Sequence, residues 1–287
     1  MRYLAPASVG EAVSALAAEP GLSRILAGGT DLLVQMKTGL AEPDLIVDIK
    51  KISDLTEIRC DGSGFRIGAA VCGAQLAEHG ELASAWPGVV ESVNLIGSTQ
   101  IQGRATPAGN LCNASPAADS VPALIAAAAV ATVAGTGGTR EVAVEDFVTS
   151  PGRSVLENGE IVVSLNLPAR PENASDAYER FIPRTEMDIA VVGVGVSVET
   201  DSDGRITAAR VGLGAVAPTP LLVEDAGRAL VGTKLDDEAL EKCAAAAMEA
   251  CSPINDKRGT IDFRIKVAGA LAKRVAARAY RRARGEQ

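Results

Sequence analysis

Apolar residues recur at Val9, Ala12, Val13, Leu16 and Ala17, the spacing of one helix face. Ser8 and Glu11 frame its start as a capping box, and Pro20-Gly21 stops it. A short strand over residues 24–27 then runs straight into Gly28-Gly29, and residues 31–37 read as the helix beyond. Residues 45–49 and 65–67 read as further strands of this small α/β unit. From about Gly68 to Pro168 a second α/β stretch holds a helix near residues 89–96 and a polar loop over 102–110. It continues with a helix beginning at Ser120-Val121-Pro122 and strands near 130–134, 141–144 and 161–167. Gly135-Thr136-Gly137-Gly138 reads as a hairpin turn between two of them.

Beyond residues 169–173 the pattern changes. Residues 189–199 and 205–215 are long strand candidates joined by Asp201-Ser202-Asp203-Gly204, a strong hairpin signal, and helices follow at 223–230, 237–250 and 260–284. Strands followed by helices make an α+β arrangement. The expected division is therefore 1–170, itself in two parts of about 1–60 and 61–170, and 171–287. The basic residues of the last helix, Lys273 to Arg284, read as a solvated face near a helix C-terminus.

Composition narrows the chemistry. The formal net charge of −8 disfavours nucleic acid and anionic membranes as partners. Proline at position 6 interrupts any signal-like run, and the longest apolar stretch, residues 124–134, falls short of the ~20 residues of a membrane span. A cytoplasmic location is the expectation. Five scattered cysteines with no Cys-x-x-Cys pair argue against a disulfide framework, a zinc site or an iron–sulfur cluster within the chain. The single histidine, His79, lies in a polar stretch and reads as a solvated loop residue. With acid–base and nucleophilic side chains so sparse, a cofactor is expected to carry any chemistry.

Two loops bear on which cofactor. Gly28-Gly29-Thr30 lies between a strand and a helix, where backbone N–H groups point outward and glycine permits close approach. Alone it reads as a tight turn with Thr30 or Asp31 capping the helix, since the G-x-G-x-x-G spacing of dinucleotide sites is absent. The run Thr106 to Asp119 is a long stretch of small, hydrogen-bonding residues of the kind that lines a ligand. Together the two loops indicate a nucleotide or phosphate ligand.

Ala27-Gly28-Gly29-Thr30-Asp31-Leu32, Gln100 to Thr106 leading into Gly109-Asn110, and Ala114-Ser115-Pro116-Ala117-Ala118-Asp119 resemble the FAD-binding medium subunit of molybdenum hydroxylases, the xanthine dehydrogenase and carbon monoxide dehydrogenase family. Asp188-Ile189-Ala190, Leu213 to Ala217 and Phe263-Arg264 resemble marks of its C-terminal domain. The resemblance implies a two-lobed α/β FAD-binding domain of the vanillyl-alcohol-oxidase or PCMH-like kind, followed by an antiparallel sheet with helices. It implies that Ala27, Gly28, Gly29, Thr30 and Asp31, with Leu32, bind the FAD pyrophosphate through backbone amides. Thr106, Gly109 and Asn110, with Ala108 and Ser115, would complete the second phosphate and ribityl contacts. Asp119 would hydrogen-bond the ribityl chain, and Val162 would give an aliphatic contact to flavin or adenine. Arg180 falls where the family carries a lysine or arginine near the cofactor, the alternative being a surface arginine beside Glu179.

Electrons would then come from a large subunit's molybdenum cofactor through two 2Fe-2S clusters of a small subunit, reach FAD at its dimethylbenzene edge, and leave to NAD, a quinone or oxygen. The implied assembly is a dimer of heterotrimers. Where the family has Gly-Gly before the asparagine, this chain has Ala108-Gly109 preceded by Pro107, a source of strain if position 108 needs φ > 0. Asn110-Leu111-Cys112-Asn113 replaces the aspartate and histidine-containing run of the carbon monoxide enzymes, which argues against that substrate, and Cys112 reads as a small buried residue. The alternatives are a free-standing FAD-dependent oxidoreductase on the same fold and a flavin-free assembly protein.

Overall fold

The first helix forms over Val9–Ala18, with Ala12, Val13 and Leu16 buried. Ser8 Oγ accepts from the Glu11 amide at 3.2 Å, and Glu11 Oε2 accepts from the Ala7 amide, one residue before the cap. The computed structural model describes residues 1–286; residue 287, the last of the expected C-terminal unit, lies outside the described residues. Arg2–Leu4, Leu45–Asp48 and Ser23–Leu26 make a parallel sheet in that order, with every residue of the central Leu45–Asp48 buried. A central parallel strand covered on both faces reads as a continuous apolar run, which is why it is legible in the sequence. Arg2–Leu4 gives no such signal because all three of its residues are exposed.

The next sheet is antiparallel, in the order Ile58–Asp61, Gly64–Gly68, Ile161–Pro168, Val130–Gly135, Gly138–Ala143. Gly135 pairs with Gly138, so the glycine run is the hairpin turn. Helices Gly73–Glu78 and Gly80–Ala85 are additions to the expected elements. His79 is not a solvated loop residue: its Nδ1 accepts from the Leu82 amide at 3.2 Å, capping the second of these helices, and its ring meets Phe65 edge-on.

The C-terminal sheet is an antiparallel meander of Ala174–Phe181, Val192–Thr200, Ile206–Gly214 and Leu221–Leu222, covered by helices Ile261–Ala283 and Glu224–Leu230, with Asp237–Glu249 packed on those two helices. The strand expected from residue 189 begins at Val192, because Asp188 Oδ1 accepts from the Ile189 amide and holds that end as loop. Two apolar cores result, one built mostly from Ala12 to Leu167 and the other from Ala177 to Ala283. Strand Ala174–Phe181 belongs to both, sending Tyr178 into the first and Ala177 into the second.

The seam between the cores is pinned by charge. Arg170 stacks 4.0 Å over the Trp86 ring and pairs with buried Asp176 at 2.9 Å, while Asp176 Oδ2 accepts from the Val89 amide at 3.0 Å. The basic face of the last helix is not simply solvated. Arg278 and Arg274 pair with Glu179, Arg282 with Glu91 and Lys273 with Glu241.

Candidate functional site

Strand Ser23–Leu26 delivers the chain into a turn at residues 27–31 and then into helix Leu32–Lys37. Gly29 adopts φ +78°, and an alanine Cβ at Gly28 would sit 2.0 Å from the Arg104 carbonyl oxygen. Glycine is needed at 28 because a second segment presses on it. Lys50 Nζ holds the start of the turn by donating to the Ala27 carbonyl at 3.1 Å, and is itself paired with Asp48 at 2.7 Å. Among the described residues no acceptor engages the amides of Gly28 to Leu32. Five unclaimed donors in a row at a strand–helix turn form an anion cradle.

These amides border a cavity of 570 Å³, lined by Ala27, Gly28, Gly29, Thr30, Asp31 and Leu32 on one side and by Thr106, Ala108, Gly109 and Asn110 on another, with Val162 contributing to its wall. Eleven of the fourteen expected cofactor residues thus share one cavity. Ser115, Asp119 and Arg180 do not line it.

The second segment is not a loop throughout. Pro107–Cys112 is a helix with Pro107 in its first turn, and Thr106 Oγ1 caps it by accepting from the Gly109 amide at 2.9 Å. Ala108 therefore has helical backbone, not φ > 0, and the strain expected there does not arise. Thr106→Ala is expected to cost about 1 kcal/mol, read as a lower urea midpoint; an unchanged midpoint would mean that Pro107 alone sets the helix start. Asn110 Oδ1 accepts from both the amide and the hydroxyl of Ser120, at 3.1 and 2.7 Å, tying this helix to Ser120–Ala126. Cys112, expected to be buried, is exposed and lines the cavity.

Arg180 is not a surface arginine. Its Nη1 lies 2.7 Å from Asp119 Oδ2, with the two side chains 4% and 11% exposed. Burial outweighs this partner and pushes the Asp119 carboxyl up to about 6. Burial likewise raises the Asp31 carboxyl from its ordinary range.

Two further parts of the cavity lie outside the residues expected from sequence. Asn113 donates to Asp31 at 3.3 Å and accepts from Gln35 at 3.2 Å, so a side-chain chain links the glycine-turn helix to the second segment. The other part is the turn at Glu157, Asn158 and Gly159, just before strand Ile161–Pro168. Its signal is the Asn158-Gly159 pair, with Gly159 at φ +86° against Ala17.

Residues 1–170 match the family model described as the FAD binding domain in molybdopterin dehydrogenase. The chain belongs to this family of FAD-binding oxidoreductase subunits. Residues 177–279 match the CO dehydrogenase flavoprotein C-terminal domain. The chain is 37% identical to the carbon monoxide dehydrogenase medium chain of Afipia carboxidovorans, over 98% of this chain and 97% of that one. It is 30% identical to the xanthine dehydrogenase FAD-binding subunit of Escherichia coli O157:H7, over 99% and 97% of the two chains. Among solved structures, reconstituted CO dehydrogenase from Oligotropha carboxidovorans superposes with a TM-score of 0.93 at 35% identity, over 98% of this chain and 97% of that one. The flavoprotein family thus agrees with the resemblance. Among the described residues, no helix is long and apolar enough to cross a membrane.

Proposed function

We propose that this chain is the electron-transfer subunit of a heterotrimeric molybdenum hydroxylase, holding FAD between the 2Fe-2S clusters of a small subunit and an external acceptor such as NAD or a quinone. The observation that carries the reading is the row of unclaimed amides at Gly28 to Leu32, residues that line the 570 Å³ cavity. The residues fit the cofactor. The amides and the turn dipole suit a diphosphate. The second segment closes the other side through Thr106, Ala108, Gly109 and Asn110, and Val162 gives an apolar wall. Bound FAD supplies the redox chemistry; the protein residues bind it, orient it and exclude water.

The reading divides the chain into a cofactor unit at 1–170 and a C-terminal unit at 171–287. It places substrate oxidation in a large molybdopterin subunit and assembles the complex as a dimer of heterotrimers in the cytoplasm. Similarity to subunits named for carbon monoxide and for xanthine supports substrate selection outside this chain.

The purified chain is expected to carry one FAD, seen as absorbance at about 450 nm, and to co-purify with a molybdenum-containing and an iron–sulfur chain. A colourless chain that does not take up added FAD would overturn the cofactor assignment. Bleaching of the flavin by an organic substrate in the isolated chain would overturn the subunit assignment.

A further inference from the structure

Asp119 ends the turn between helices Pro107–Cys112 and Ser120–Ala126, and its Oδ2 pairs with Arg180. Three polar atoms in this cluster are buried without a hydrogen-bond partner among the described residues: Asp119 Oδ1, Arg180 Nε and Tyr178 Oη. Tyr178 is 2% exposed, and after burial the Asp119 charge is the next cause raising its phenol. Unpaired polar atoms are costly in a low-dielectric interior, so three together mark a place where charge or hydrogen bonding is unfinished.

The cluster adjoins the cavity. Asn110, which lines it, is hydrogen-bonded to Ser120, the residue after Asp119. Arg180 and Tyr178, both from strand Ala174–Phe181, are the charged and titratable groups that face the carboxyl. The turn at residues 113–118, helix Ser120–Ala126 and the Gly193-Val194-Gly195 stretch of the neighbouring strand bring no ionisable side chain.

This geometry accommodates two protonation states. The carboxylate is held by Arg180, whereas the neutral acid leaves Arg180 as a net positive charge one residue contact behind the cavity lining and has an unpaired phenol nearby. Burial brings the balance between the two into the neutral range.

We propose that Asp119 is a redox-linked proton site, taking up a proton when the cofactor in the adjoining cavity is reduced and releasing it on reoxidation. This rests on the FAD reading above. Two electrons from an external donor, with one proton from solvent, convert neutral oxidised FAD to its singly protonated reduced anion, so the ring gains one negative charge. The Asp119 carboxylate takes a second solvent proton and becomes neutral, and the buried Arg180 charge, no longer neutralised by its partner, offsets the ring. Reoxidation sends both electrons to the acceptor and returns both protons to solvent. Asp119 here sets charge at a distance from the ring and is a positioning residue.

The test uses the whole chain with FAD bound, reduced electrochemically at pH 7 to 8 in weakly buffered solution, with an indicator dye reporting proton uptake. The wild type is expected to take up about two protons per two electrons, and Asp119→Asn about one. Tyr178→Phe keeps the ion pair and is expected to shift the pH at which the second proton is lost. Uptake of one proton by the wild type across this range overturns the inference whatever the variants do. So does identical uptake by the wild type and Asp119→Asn. Should Asp119→Asn not retain FAD, the wild-type stoichiometry and Tyr178→Phe decide. Failure of the wild type to bind FAD at all would overturn the cofactor assignment first and this inference with it.

Discussion

Gly28→Ala is expected to weaken FAD binding by at least about a hundredfold, without a ligand atom ever touching the new methyl group. The methyl would lie 2.0 Å from the Arg104 carbonyl oxygen and 2.7 Å from its carbon, both backbone atoms that no rotamer change can move away. Either the glycine turn or the Gln102–Ala105 stretch must shift. Displacing the turn misaligns a row of amides, each charge-assisted hydrogen bond being worth about 1.5–3 kcal/mol, so losing two gives an effect of that size. Overpacking adds about 1–3 kcal/mol of destabilisation. Gly103→Ala is the matched control, because a methyl there would have the Gln100 carbonyl oxygen as its nearest neighbour, at 3.7 Å, and the backbone at 103 is ordinary. Flavin fluorescence titration of both variants, with thermal melting beside it, checks the expectation. Wild-type affinity in Gly28→Ala would refute the contact argument.

Arg180→Met is expected to produce a stability loss that grows with pH. Asp119 titrates at about 6 in the folded chain even with Arg180 beside it, against an ordinary 3.8. A carboxyl raised in the folded state binds more protons there than when unfolded, so its contribution is fully present below about pH 4 and is lost as pH rises through 6. For the wild type this loss is on the order of 3 kcal/mol as an upper figure. Removing the guanidinium takes away the one group that lowers the carboxyl and leaves a buried charge unpaired, a change worth about 3–5 kcal/mol once the carboxylate is forced to ionise. At pH 5 the variant keeps the neutral acid and is expected to lie close to the wild type; by pH 7.5, about one and a half units above the wild-type titration, it should be weaker by up to about 2 kcal/mol. Other carboxylates, such as Glu160 held down by Arg140, slope the opposite way, so the informative quantity is the difference between variant and wild type. Urea denaturation of the FAD-free chain at the two pH values measures it. An equal loss at both would mean that Arg180 acts through packing and not charge.

Several elements are legible in the sequence because their signals are local. The Ser8 cap, the Asp201–Gly204 hairpin and the strand–glycine–helix order around Gly28 each depend on residues within a few positions. Strand Ala174–Phe181 is not legible. Asp176, Glu179 and Arg180 interrupt its apolar alternation and suggest a solvated segment, yet all three are engaged in ion pairs, Asp176 and Arg180 at the seam of the two cores and Glu179 with the last helix. Thr106-Pro107 does carry a cap-and-first-turn signature, but the small polar residues after it read as loop, and a helix of six residues is too short for periodicity to reveal.

The sequence by itself determined the elements with local signals, the family, and the two segments that carry the cofactor reading, since these reside in local spacing and in motifs. The tertiary structure alone decided that Gly28 is locked by Arg104, that Asn113 bridges to Asp31 and Gln35, and that Asp119 finds Arg180 across the seam. The physical reason is that an isolated charged residue carries no mark of its partner. Whether it is solvated, paired or left with an unsatisfied atom depends on which distant segment the packing of the two cores brings against it.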